Sequence, residues 1–223
     1  MNVDPVEFIC AHTQINSPSA VPEISLYLAS EVTSLWQKTE KLLKQQNLAP
    51  PFWAFAWPGG QGLARYLLDN PSVVFGRKVV DFAAGSGLGA IAAMKAGAKS
   101  AVAVDIDPLA LASIKINAQI NSVDVTPCGG LNLEKIPARV DLILAGDVCY
   151  QQAMSTAVLR WLRLCVEAGI EVLLSDPGRA YVPEKGKICL ARYDVPTSRE
   201  LEDKEVRTAT IWKLGRIEPE EMD

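Results

Sequence analysis

At 223 residues the chain is sized for one α/β domain with a full core rather than for two independent ones. Apolar residues make up 49% and charged residues 22%, near the globular average, so composition points neither to disorder nor to a membrane protein, and no apolar run reaches transmembrane length. A net charge of −4 supplies no broad basic face for holding nucleic acid by its phosphates, and a basic protein segment is the better-matched partner.

In chain order, residues 1–20 mix proline, serine and asparagine with little periodicity and are expected to form a loose leading segment. Pro22–Ala29, PEISLYLA, alternates like a short strand, and Ser34-x-x-Gln37 reads as the capping box of a helix with Leu35, Trp36, Leu42 and Leu43 on one side. Residues 1–50 therefore read as an N-terminal extension and 51–223 as the main domain. After Pro50-Pro51, PFWAFAWPGGQGLARYLLDNP is an aromatic loop feeding a helix that stops near Pro71. Strands and helices then alternate: RKVVDF, LGAIAAMKAG, SAVAVDID, PLALASIKINAQIN with Asp107 as N-cap and Pro108 at N1, a weaker strand at Val123–Thr126, VDLILAGD, QQAMSTAVLRWLRLCVEAG and EVLLSDPG. Apolar strands separated by helices imply a Rossmann-like, mostly parallel sheet covered on both faces. At the end, ICLARYDVP and VRTATIWKLG flank the charged SRELEDKE and read as an antiparallel hairpin on one edge of that sheet.

Five cysteines, odd in number and never in a CxxC pair, indicate reduced thiols rather than disulfides or a zinc site, and no metal is expected. The opening MNVDPVEFIC carries acids and no arginine, unlike a signal or transit peptide, which makes the cytoplasm the expected compartment. The lone histidine, His12, lies in the leading segment, so Ser-His and Cys-His catalysis are set aside. Chemistry must then come from carboxylates, phenols or a cofactor.

Three acids end or follow strands. Asp81 precedes Gly85-Ser-Gly87-Leu-Gly89 between a strand and a helix, where glycines let backbone N–H groups approach a ligand. The GxGxG spacing departs from the GxGxxG of dinucleotide sites and favours a nucleoside with an amino-acid tail. Asp105, 20 residues after Gly85, stands where a carboxylate grips a ribose diol, while Asp107 is assigned to the helix cap. Asn132, in GGLNL, lies where an adenine edge would pass, although a plain turn asparagine is nearly as good a reading. Asp147 closes LILAGD and is followed three residues later by Tyr150. A carboxylate at the mouth of an apolar strand needs a cation to meet it, unless it serves as N-cap of the helix that follows.

Together, Asp81-xxx-Gly85-x-Gly87, Asp105 and Asp147-xx-Tyr150 resemble the seven-β-strand S-adenosylmethionine-dependent methyltransferases of the protein-lysine branch. FWAFAWPGGQGLARYLLDNP, VDIDP, GDVCY and SDPGR resemble more narrowly the electron transfer flavoprotein β-subunit lysine methyltransferases, over about 160 residues from Pro22 to Arg179. The resemblance implies a seven-stranded sheet and S-adenosylmethionine as cofactor. It also implies that Asp81 and the Gly85–Gly87 backbone hold the methionine end, Asp105 the ribose, and Trp57 packs nearby. Asp147 and Tyr150 would then stand beside the target lysine. The expected substrate is the electron transfer flavoprotein β subunit, acted on by a monomer without nucleic-acid or membrane partners. A ribosomal protein or a small amine is the alternative acceptor, and a nicotinamide-dependent oxidoreductase the competing class.

A lysine acceptor would answer the question raised by Asp147. Reaching the neutral amine from a pKa near 10.4 costs roughly 4–5 kcal/mol at pH 7. A neighbouring carboxylate raises that pKa, so the acid's expected work is selecting and orienting the side chain and giving the proton a route to water. Of the aromatics Phe52, Trp53, Phe55 and Trp57, one or two are expected at the pocket rim and the rest in the core.

Overall fold

The architecture comes from a computed structural model, which describes residues 4–29 and 50–216. The helix expected around Ser34–Leu43 and the acidic tail IEPEEMD lie outside the described residues. In chain order the elements are α1 (Pro5–His12), β1 (Gln14–Asn16), β2 (Leu26–Leu28), α2 (Pro58–Asp69), β3 (Lys78–Phe82), α3 (Leu88–Lys95), β4 (Ser100–Val104), α4 (Pro108–Ile120), β5 (Val125–Cys128), β6 (Leu142–Gly146), α5 (Gln152–Glu167), β7 (Glu171–Asp176), β8 (Lys187–Pro196), the single turn α6 (Arg199–Glu202) and β9 (Val206–Leu214).

Seven of the strands form one sheet in the order β5-β4-β3-β6-β7-β9-β8. Neighbours from β5 through β7 run parallel, and β9 runs antiparallel to both β7 and β8. The alternation of side chains divides each central strand between two cores. Val79, Leu142, Leu144 and Leu173 face the layer of α2, α3 and α4, whereas Val80, Ile143, Ala145, Val172 and Leu174 face α5 with its Trp161 and Leu162. This two-sided burial is why the strands read as continuous apolar runs. From β3 the chain proceeds outward to β4 and β5 and then returns to β6 on the other side of β3. Such an order reversal leaves a crevice at the carboxyl ends of the strands.

The hairpin reading of the last two strands holds, with one refinement. The final strand β9 lies inside the sheet, between β7 and β8, and β8 takes the edge. The loose leading segment is corrected. Asp4 caps α1 by accepting from Val6 N–H at 2.7 Å, with Pro5 in the first turn, so residues 4–12 have their own helix start signal. Phe8 and Ile9 of α1 are buried with Trp53, Ala110 and Ile116, and β1 pairs with β2. His12 is stacked on Phe8 at 4.3 Å and does not line the cavity described below.

Candidate functional site

The loops after β3, β4 and β6 meet at the crevice and enclose a cavity of about 590 Å³, well inside the range of small-molecule sites, ~300–1,000 Å³. Of the sequence-derived residues, Trp57, Asp81, Gly85, Asp105, Asp147 and Tyr150 all line it. Gly87 and Asn132 do not.

Asp81, at the end of β3, is 5% exposed and accepts from Ala90 N–H at 2.8 Å. Gly89 makes room for it, since a Cβ there would lie 2.9 Å from both carboxylate oxygens. Burial, helped by the nearby Asp105 charge and opposed by the Ala90 N–H, pushes the Asp81 carboxyl up to about 7. Such a group is poised to ionise when a cation arrives.

The glycine turn works differently from the expectation. Gly85 N–H donates to Asp105 Oδ2 at 2.9 Å and Gly87 N–H donates to Ala84 C=O at 2.8 Å, so both N–H groups are engaged within the protein. Gly87, at φ 82°, turns the chain into α3, and a Cβ there would press on Ile114 at 3.2 Å. The role the structure shows for it is conformational. Asn117, fully buried on α4, fixes the same turn by donating to Ser86 C=O at 2.9 Å while accepting from Tyr27 N–H at 2.8 Å. Inside a helical run it carried no sequence signal for this work.

Asp105 also accepts from Asp107 N–H at 3.0 Å, while Asp107 caps α4 through Leu109 N–H at 2.8 Å, the division of labour expected of the two acids. Asn132 is exposed and accepts from Glu134 N–H at 2.8 Å, which is the plain turn asparagine that stood as the other reading. The cavity wall at that point is built by Gly130, Leu131 and Leu133. Trp53, 1% exposed, also lines the cavity, and its indole N–H has no hydrogen-bond partner among the described residues.

At the other end, Asp147 adopts φ 57°, and its carboxylate accepts from Gly59 N–H at 3.2 Å and Gly60 N–H at 2.6 Å, at the positive end of α2. It does not cap α5, whose N-cap is Gln151. Nor is it electrically alone, because the guanidinium of Arg179 donates to it. The cation that the strand-end acid required is therefore supplied by the chain itself, from Arg179 of the SDPGR segment.

Tyr150 is half-exposed and makes no hydrogen bond to Asp147; its ring lies 5.6 Å from that of Phe52 at the cavity mouth. Burial first, and then the Asp105 charge, raises its phenol above the ordinary range. Trp57 is anchored by donation from Nε1 to Phe52 C=O at 2.9 Å. Trp53 and Phe55 join the buried cluster against α1 and α4, so the aromatic stretch divides between rim and core as expected. Cys149, between the two motif residues, is fully buried, and that burial pushes its thiol up to about 12, which removes it as a nucleophile. Among the described residues no group of metal-ligating side chains is present.

Comparison with known proteins identifies relatives of this chain in sequence and in fold. Residues 66–148 match the family model for ribosomal protein L11 methyltransferase (PrmA). Among solved structures, the ribosomal protein L11 methylase of Lactobacillus delbrueckii subsp. bulgaricus superposes with TM-score 0.50 at 21% identity, covering 71% of this chain and 79% of that one. Magnesium protoporphyrin IX methyltransferase from Synechocystis, solved with bound SAM, superposes with TM-score 0.52 at 15% identity, covering 80% and 83%. Both likenesses are of fold. In sequence, the electron transfer flavoprotein beta subunit lysine methyltransferase of Danio rerio is 38% identical over 217 residues, 93% of this chain and 82% of that protein. The Homo sapiens protein of the same name is 35% identical over 214 residues, 92% and 80% respectively. On that identity and coverage, the chain belongs to the family of electron transfer flavoprotein β-subunit lysine methyltransferases.

Proposed function

We propose that this methyltransferase transfers methyl groups from S-adenosylmethionine to a lysine of the electron transfer flavoprotein β subunit, acting as a monomer in the cytoplasm. The observation that carries the reading is the convergence, in one cavity, of Asp81 and Asp105 at the ends of adjacent strands with Asp147 and Tyr150 beyond the next. Five unpaired cysteines suit a reducing compartment, and no described helix is long and apolar enough to cross a membrane.

The residues present fit that cofactor. The buried Asp81 carboxyl suits an ammonium group, and the Trp53 N–H, without a partner among the described residues, suits an acceptor such as a carboxylate. Each Asp105 oxygen accepts one backbone N–H and keeps a lone pair for a ribose hydroxyl. Ile106, 85% exposed, and Leu131 offer apolar flanks to a base. When bound, S-adenosylmethionine supplies an electrophilic methyl carbon on a cationic sulfur.

The chain's own residues select and place the acceptor. Phe52 and Tyr150 sheathe an aliphatic stem ending in a cation, an arrangement worth roughly 0.5–1 kcal/mol or more as the site is desolvated. Asp147, fixed by α2 and Arg179, offers a remaining lone pair that orients the amine, and positioning accounts for much of the acceleration.

The direct test combines the protein with recombinant β subunit and S-adenosylmethionine labelled in the methyl group, followed by peptide sequencing. Label on a lysine of the β subunit is expected. Label confined to ribosomal proteins in a cell extract overturns the substrate, and label on no protein overturns the lysine reading itself.

A further inference from the structure

Arg179 joins more of this site than any other cavity side chain the sequence motifs contain. It leaves the end of β7 and donates to Asp147 beyond β6. Its other terminal nitrogen donates to Glu202 Oε1 at 2.5 Å, and Asp176 Oδ2 lies 3.6 Å away. Glu202 belongs to the β8–β9 connection, is 7% exposed, and turns its second oxygen toward Arg207 Nε at 3.2 Å. Leu201, Glu202 and Asp203 of that connection form cavity wall.

Besides the Arg207 contact, the connection is held by Leu201, which packs against the buried cluster of Trp53, Phe55 and Ala110. The single turn α6 is closed by Leu201 N–H and Glu202 N–H on Ser198 C=O at 3.0 Å, and Thr197 N–H donates to Glu205 C=O at 2.9 Å. These bonds shape the connection within itself; the Arg179–Glu202 pair supplies its charged link to the Asp147 end of the site, beside the apolar contact of Leu201. Burial opposes the Arg179 charge, yet Asp147, Glu202 and Asp176 outweigh it and hold its pKa above the ordinary arginine range. The planar fork of an arginine meets two carboxylates at once, which a lysine ammonium does with less directional control.

Resting on the reading of this cavity as a lysine acceptor site, we propose that Arg179 is a positioning residue that clasps residues 198–205 over the Asp147 end of the cavity and thereby sets affinity for the protein acceptor, not for the methyl donor. The clasp divides the labour of the site. Asp81 of β3 and Gly85 and Asp105 in the loops after β3 and β4 make no hydrogen bond with Arg179, whose one approach toward that side is over the Trp57 ring at 6.0 Å, whereas Asp147 and the wall residue Glu202 both bond to it.

The test compares wild type with R179A, R179K, E202Q and the R179A/E202Q double variant. Three quantities are read: hydrogen–deuterium exchange of residues 198–205, KM and kcat for the β subunit, and calorimetric affinity for S-adenosylmethionine. R179A and E202Q are each expected to speed exchange in 198–205 and to raise the acceptor KM roughly tenfold, with donor affinity held within about threefold. R179K should recover only part of the loss, and the double variant should be little worse than R179A because both remove one link. Unchanged exchange in R179A and E202Q overturns the clasp whatever the substrate is. Donor affinity falling as far as acceptor KM rises overturns the division of labour. Should wild type methylate no β subunit, the proposed substrate fails, while exchange in the same variants still decides the clasp.

Discussion

Asp81 is a carboxyl group that the fold buries before any ligand neutralises it, and the thermodynamic sign of that burial is fixed. Its pKa is about 7 in the folded chain and near 3.9 when unfolded, so the native state holds the extra proton between those values. Stability from this group is therefore fully present below about pH 4 and is lost as pH rises through 7, by an amount on the order of 4 kcal/mol at most. Asp81→Asn should flatten that decline in chemical denaturation from pH 5 to pH 8, while weakening the cofactor. In the wild type, cofactor binding at pH 6 should release a proton, read calorimetrically as a dependence of the heat on the buffer's ionisation enthalpy. A second residue-scale outcome concerns Gly59, where a Cβ would stand 2.7 Å from Asp147 Oδ2. Gly59→Ala must push the carboxylate aside, and methyl transfer should fall on the order of 10²-fold with cofactor affinity nearly unchanged.

Among the elements, α2 owes its closeness to the sheet to Gly62, whose added Cβ would meet Ala209 Cβ of β9 at 2.5 Å. Gly62→Ala should cost about 1–3 kcal/mol in urea unfolding through overpacking, despite the better helix propensity of alanine. Asp107→Ala should cost about 1 kcal/mol through the lost cap of α4. Most of the fold was legible because its elements advertise themselves locally: two-sided apolar strands, Asp107-Pro108 at a helix start, glycines after β3. The leading helix was missed even though Asp4-Pro5 is the same kind of start signal, because eight residues of α1 show too little periodicity to outweigh their loop-like neighbours. At the site, strand-end acids were readable, since a carboxylate after an apolar run is locally conspicuous. Their partners were not. Arg179, Glu202 and Asn117 act across the sequence on Asp147, Arg179 and Ser86, and nothing in their own neighbourhoods announces it. Asn132 stands in the opposite case, its side-chain oxygen bonding locally to Glu134 N–H two residues on.

For the molecule as a whole, the sheet order places strands made at very different times side by side. β9 fills the space between β7 and β8, so a chain truncated before Val206 leaves the parallel strand β7 with an open edge. Such a truncation is expected to be recovered aggregated or partly folded, which size-exclusion chromatography and circular dichroism would show. The same order governs biosynthesis. Asp81, the glycine turn and Asp105 leave the ribosome long before Glu202 does, and β9 must follow before the wall bearing Glu202 is held at both ends. A nascent chain thus has the Asp81–Asp105 end of the cavity before the wall bearing Glu202 can be added, so the cavity is complete only once translation has passed Leu214.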